Sequence, residues 1–375
     1  MIRRQRIDIL LFLTFILLTV FGLEMLGSAS SDLGQERFDD PYYYLKHQLL
    51  YGFSIGIVGF VVCAWFLNYK HFRKIAFFLL LLSIITLILV LLPSFGMSSG
   101  VAQRWLTLGP ITFQPSEFLK LAFIIYIAAW LSSSSLARTT SFSEGFFPFL
   151  LIVGFVAFLL LEQSSTSATL MITAITLAMY FVGGVKRAYI FYIFGAILVA
   201  ATLLFGFVYL NKGSVADDYR LRRIQTFLEP HKDLSGDAYQ VNQALTVIGS
   251  GGLTGVGYGE SLSKRYLPER IGDSIFAIIA EEWGFIGSVF VTLMFLFLVL
   301  RSFILARNTN DRFGKLLLVG FASLIGLQAF IHIGGNAGLV PLTGVPLPFI
   351  SYGGTALAVF MTMAGIMLNI SRNRG

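Results

Sequence analysis

Ten apolar runs, each close to twenty residues long, fall near positions 7–28, 46–67, 72–92, 115–132, 146–162, 165–184, 188–210, 274–303, 314–335 and 348–370. As a helix, a run of that length spans about 30 Å, the thickness of a bilayer's hydrocarbon core. Lipid offers the backbone no hydrogen bonds, so only helices and closed barrels cross it, and runs of twenty rather than alternating tens exclude a barrel. The chain is therefore expected to be all-α. It reads as a polytopic membrane protein of ten transmembrane helices, one domain over 1–375, with a large extracytoplasmic loop at 211–273 between helices seven and eight. The charged fraction of 13% agrees, being about half the share usual in soluble domains.

Arg3, Arg4 and Arg6 precede the first run. That run is too long for a signal-peptide core, and although Ser28, Ala29 and Ser30 faintly resemble a cleavage site, the segment reads as a retained span. With both termini in the cytoplasm, Lys70, Arg73, Lys74, Arg138, Lys186, Arg187, Arg301, Arg307, Arg312, Lys315, Arg372 and Arg374 all lie inside, as the positive-inside rule asks. The net charge of +7 thus reads as a topology signal. Its scattered clusters do not form the continuous basic stripe of a nucleic-acid binder. Cys63 is the lone cysteine and the four histidines are dispersed, which excludes a disulfide framework and a Cys/His metal site. No internal repeat stands out, so an inverted-repeat transporter is not suggested.

The same orientation places three segments outside: residues 94–114, the stretch Asn211–Asp273, and the turn after Asn336. Within the long stretch, Tyr219, Leu221, Ile224, Phe227 and Leu228 recur at near-helical spacing, as in a helix lying in the interface and ended by Pro230. A second helix is expected from Asp237 as cap, through Tyr239 and Gln240, to the glycines at 249–252. The glycine-rich run 249–259 lacks the Lys-Ser/Thr ending of a phosphate loop and reads as tight turns.

Ionisable residues within spans are functional candidates, because charge in lipid is costly unless paired or wet. Glu24, Glu117, Lys120, Glu162, Glu281 and Glu282 qualify. Glu117 and Lys120 are three apart on one helix face, which suits either a structural ion pair or a cation facing an outer cavity. Arg104 beside Trp105 reads as an interfacial anchor or as a phosphate- or sugar-binding pair. Asp273 stands at the entrance of the eighth span. Spacing alone allows it to be a helix cap or a chemical group, and Glu281, about 12 Å deeper, is too far for a carboxylate pair.

Three strings, GVAQRWLTLGPITFQPSEFLK, YQVNQALTVIGSGGLTGVGYGESLSKRYLPERIGDSIFAIIAEEWGFIG and GLVPLTGVPLPFISYGG, occupy the three outer segments in order. Together they resemble the SEDS family of bacterial peptidoglycan polymerases, the FtsW (division) branch more than the RodA (elongation) branch. The resemblance implies a ten-helix enzyme that polymerises lipid II into glycan strands and carries the family's essential acid onto Asp273. It carries substrate-binding roles onto Arg104, Trp105, Gln114, Ser116, Glu117, Lys120, Tyr239, Gln240, Lys264, Glu281, Ser351 and Tyr352. One departure stands out. Where the family usually has QPDLGT, this chain reads Gln163, Ser164, Ser165, Thr166, Ser167, Ala168, so the expected acid is absent, and hydroxyls replace its hydrogen bonds but not its charge.

The implied chemistry is attack by a sugar hydroxyl of one lipid-linked disaccharide on the anomeric carbon of another, displacing a lipid diphosphate with inversion. A diphosphate leaves as a stabilised anion, so one base and a cation cradle suffice, without the second carboxyl of a glycosidase. Asp273 is the expected general base, and Arg104, Lys120 and Lys264 are candidates for the diphosphate. No cofactor is evident; a divalent cation on the diphosphate is compatible with the chemistry, but no dedicated metal cluster is seen. The resemblance implies a class B penicillin-binding protein and other division proteins as partners, in a bacterial cytoplasmic membrane with the active site outside. A flippase or transporter of lipid-linked precursors is the alternative, predicting charges at midplane depth and at both faces. A non-catalytic scaffold is a third reading, prompted by segment 163–168.

Overall fold

The computed structural model describes residues 7–92, 96–99, 102–108, 111–133, 141–186 and 237–373, with 188, 189, 191, 192, 195 and 202 between them. Nine of the ten apolar runs form helices among these residues. They are α1 (Ile9–Phe38), α2 (Tyr43–Phe66), α3 (Lys70–Leu91), α4 (Pro115–Leu131), α5 (Phe142–Glu162), α6 (Thr166–Val182), then, after a helix of the polar stretch, α7 (Asp237–Ser250), α8 (Ile275–Arg307), α9 (Arg312–Asn336) and α10 (Gly354–Arg372). Seven are long and apolar enough to cross a membrane. The helices α4 and α6 have 17 residues each, about 26 Å. Of the expected seventh span only 188, 189, 191, 192, 195 and 202 are described, and the interfacial helix around Tyr219–Leu228 and the capping side chain of Asp237 lie outside what is described.

Burial sorts the helices into an inner and an outer layer. On α4, α9 and α10 most side chains are buried, whereas α2 and α3 present Val58, Phe66, Phe77, Phe78 and Leu82 outward, as lipid requires. Gly52 and Gly56, one turn apart on α2, let it approach α10 closely: a Cβ on Gly52 would lie 3.0 Å from Gly354 Cα, and one on Gly56 2.6 Å from Met361 Sδ.

One end of the bundle is laced shut by polar ties. Asp8 pairs with Arg301 (2.6 Å), Tyr69 donates to Asp311 (3.0 Å), Asn369 Nδ2 donates to Leu67 O (2.7 Å), and Arg312 donates to Gly183 O (2.6 Å). The basic residues Lys70, Arg73, Lys186, Arg307, Lys315 and Arg372 lie next to these helix ends.

At the other end three departures from the expected pattern matter. The helix α1 does not stop near residue 28; it continues to Phe38, carrying Asp32, Glu36 and Arg37, and ends at Asp39 in the left-handed conformation. The segments 96–99, 102–108 and 111–113, for which no strand was expected, form a small antiparallel sheet, β1 (Gly96–Ser99), β2 (Ala102–Leu108) and β3 (Ile111–Phe113), with Met97 opposite Trp105 and Thr107 opposite Thr112. Finally, α8 breaks at Gly284 (φ 66°, ψ −164°). The glycine-rich run fills the break. Val256 N donates to Glu281 O (2.9 Å) and Gly257 N to Glu282 O (3.1 Å), while Phe285 N and Ile286 N donate to Gly252 O and Leu253 O (2.9 and 3.2 Å). These bonds satisfy the main-chain groups a broken helix exposes. Glycine is required there, since a Cβ on Gly255 would sit 2.1 Å from Glu282 O.

Candidate functional site

The open end of the bundle holds a cavity of about 1380 Å³. Its mouth is charged. Asp32, Glu36 and Arg37 come from the extension of α1, Arg104 and Trp105 from β2, and Arg265, Glu269, Arg270 and Asp273 from the loop before α8. Its depth is apolar, lined by Ile55 of α2, Phe118 and Leu121 of α4, and Val359 and Thr362 of α10. From Gly353 to Thr362 the wall descends about 13 Å at helical rise. One continuous space therefore offers a polar chamber above and a hydrocarbon-like slot below.

Asp273 is not the cap of α8. Ser274 occupies that position, and Asp273 sits one residue earlier in a turn, partly exposed and lining the cavity. The turn is gripped along its main chain. Tyr352 N donates to Ile271 O (2.8 Å), Ser351 Oγ to Gly272 O (2.7 Å) and Asn336 Nδ2 to Asp273 O (2.9 Å), while Gln240 Nε2 of α7 reaches Ser274 Oγ (3.2 Å). Three consecutive carbonyls are thus held by the end of α9 and by the α9–α10 connection that carries SYGG.

The cations divide into two kinds. Arg104 lines the cavity and is anchored from behind, its guanidinium donating to Gln163 O (3.4 Å) and to Ser164 O. Segment 163–168 thus meets Arg104 through main-chain carbonyls, a contact that needs no acid. Its side chains bond elsewhere, Gln163 Nε2 to Leu87 O of α3 (2.8 Å) and Ser167 Oγ to Thr343 O of the α9–α10 connection (3.1 Å). Arg270 is buried, donates to Lys264 O (2.6 Å), and has its pKa pulled below the usual arginine value by burial, against the opposing charges of Asp32 and Glu36. Arg265 is exposed and pairs with Asp32 (3.2 Å).

Lys120 and Lys264 do not line the cavity. Lys120 is 3% exposed and donates to Glu117 (2.7 Å) and Gln328 (2.9 Å). Ser116 is buried beside this pair in sequence. Lys264 is buried and donates to Gly259 O (3.1 Å) and Ser28 O (3.4 Å). Glu281 accepts from Ser263 (2.7 Å) and Ser261, fastening the 261–265 loop to α8, and Glu282 accepts from Ser28, fastening α8 to α1. Gln114 and Tyr352 line the cavity, whereas Tyr239 is exposed on α7. The Tyr352 hydroxyl lies 2.9 Å from His47 Nδ1, and burial pushes its pKa up to about 12. Among the described residues no three His, Cys, Asp or Glu cluster as a metal site.

Sequence reasoning missed Arg37, Arg270, His47 and Asn336 as members of the site. Asn336 was findable, because Gln328, His332 and Asn336 recur every four residues on an otherwise apolar helix.

A family model described as a cell cycle protein, FtsW/RodA/SpoVE, matches residues 8–375. The chain belongs to this family. It is 39% identical over 375 residues to the "Probable peptidoglycan glycosyltransferase FtsW" of Geobacter sp. (strain M18), covering 100% of this chain and 99% of that one. It is 37% identical over 369 residues to the stage V sporulation protein E of Bacillus subtilis, covering 97% of each. Among solved structures it matches a chain of a peptidoglycan synthase complex that coordinates polymerization and crosslinking, with TM-score 0.80, 27% identity and 98% of each chain covered. The rod shape determining protein RodA of Thermus thermophilus also matches, with TM-score 0.69, 26% identity, and 98% and 97% covered. The multi-pass, membrane-embedded, helical fold is that of the family.

Proposed function

We propose that this protein is a peptidoglycan glycosyltransferase of septal synthesis, polymerising lipid II in the cavity around Asp273. The names of its relatives, probable peptidoglycan glycosyltransferases of the FtsW type, support the activity. The observation that carries the substrate class is the cavity's polarity gradient, with arginines at the mouth and an apolar slot descending between α2, α4 and α10. That space suits an amphiphile whose sugar-diphosphate head sits above its hydrocarbon chain.

In this reading Asp273 takes the proton of the acceptor hydroxyl as its oxygen bonds to the donor's anomeric carbon. The bond from that carbon to the diphosphate oxygen breaks, the oxygen keeps the electron pair, and the configuration inverts. Arg104, Arg265 and Arg270 line the mouth where the departing charge develops. Lys264 supports Arg265 and Arg270 from a buried position, through the loop that carries both, whereas Lys120 is held in its buried pair with Glu117.

The basic helix ends at the laced side support a cytoplasmic position for that side, with both termini there and the cavity extracytoplasmic. Polar ties at the cytoplasmic end favour chemistry at one face over passage through the bundle, as a flippase would need. The whole chain is one domain, with 211–273 as its outer loop. The synthase complex to which it is similar supports a partner that crosslinks the strands, a class B penicillin-binding protein.

The test is polymerisation of labelled lipid II by purified protein, wild type beside Asp273→Ala, with and without that partner. Polymer from wild type alone supports the assignment. Flipping of lipid II in vesicles without polymer would overturn it.

A further inference from the structure

The polar file on α9 meets a different neighbour at each step. Gln328 receives Lys120 and donates to Pro346 O (2.8 Å), His332 Nδ1 meets Val345 O (2.7 Å), and Asn336 Nδ2 donates at 2.9 Å to the carbonyls of both His332 and Asp273. Asn336 is fully buried, and its Oδ1 has no partner among the described residues. Both groups facing the amide nitrogen are carbonyl oxygens, so only its N–H₂ end can point at them. This side chain is buried for its donors.

Two peptide planes flank the Cα of Asp273. Gly272 O belongs to the first and receives Ser351 Oγ; Asp273 O belongs to the second and receives Asn336 Nδ2. Holding both planes fixes φ and ψ of Asp273 and with them the direction of its Cα–Cβ bond. We propose that Asn336 is a positioning residue which, together with Ser351, aims the Asp273 carboxylate at the acceptor hydroxyl. The proposal rests on Asp273 acting as the base. Aim matters because misplacing a reacting group by about 1 Å costs on the order of 100-fold in rate.

Serine at 336 separates aiming from folding. Within a helix a serine hydroxyl bonds the carbonyl four residues back, here His332 O, but it is too short to reach Asp273 O. The experiment measures lipid II polymerisation, lipid II binding and thermal stability for the full-length wild type, Asn336→Ser, Asn336→Ala, Asp273→Ala and the double variant Asn336→Ser with Asp273→Ala. The expected result is a kcat about 10- to 100-fold lower in both Asn336 variants, with binding unchanged and the serine variant nearer wild type in stability. The double variant should be no slower than Asp273→Ala alone, since Asn336 acts only through that residue. A serine variant with wild-type kcat, or a loss of kcat that merely follows loss of binding or stability, would overturn the proposal. Should the alanine variant fail to fold, the serine variant carries the test. Wild-type activity in Asp273→Ala would overturn the base assignment itself, and the proposal with it.

Discussion

Two charged regions lie within a few helical turns of each other, and they are built on opposite principles. Around the cavity mouth, Asp32, Glu36, Arg37, Arg104, Arg265, Glu269, Arg270 and Asp273 share open space. Behind it, Glu117 with Lys120, and Lys264 with Glu281 and Glu282, are buried and hydrogen-bonded to α1, α9 and the 259–263 loop. The motif strings mark members of both sets alike. The fold separates groups that can touch a substrate from groups that hold those groups in place, which alters what removing each should do.

The largest contrast is expected between Asp273 and Lys120. Removing the carboxylate in Asp273→Asn should lower polymerisation by about 100- to 10,000-fold with little change in melting temperature, because the side chain lines open space. Lys120→Ala should instead cost about 3–5 kcal/mol of stability by leaving Glu117 charged and buried. Thermal melts in detergent would show this, and pairing it with Glu117→Gln should restore much of the loss. An Lys120→Ala variant as stable as wild type would show that the buried pair is not structural.

Arg104→Ala comes next, with turnover expected to fall on the order of 100-fold as one preorganised donor at the leaving-group side is lost. Steady-state kinetics would read it as a fall in kcat more than a rise in KM. Breaking the exposed Arg265–Asp32 pair through Asp32→Ala should change stability by only about 0–1 kcal/mol. A melting shift of ten degrees there would mean that this rim contact is structural after all. Smallest of all, Tyr352→Phe should leave the alkaline limb of the pH–rate profile unchanged below pH ~10, since burial holds the hydroxyl neutral up to about 12.

The helical architecture was legible because lipid imposes one length and one polarity on every span; among the described residues nine of ten apolar runs returned as helices, most of them near their expected limits. What was not legible depends on contacts between segments distant in sequence. Polar residues 29–38 look like a loop, yet they extend α1 into a cavity wall. Gly284 reads as one more glycine until the run at 251–257 is seen filling the break it makes. Asp273 could be read as a helix cap because Asp favours that position, and only the structure assigns the cap to Ser274 and leaves Asp273 at the cavity. Spacing put Glu117 and Lys120 on one face but could not say which way that face turned. It turns inward, toward Gln328. The altered segment 163–168 gains a physical role only once Arg104 is seen resting on its carbonyls.

The most direct test of the account is the rate of glycan polymer formation from lipid II by folded Asp273→Asn protein beside wild type, with melting curves recorded on the same preparations. The account predicts polymer from wild type, none above background from the variant, and superimposable melts. A variant that melts like wild type and polymerises at the wild-type rate would contradict it.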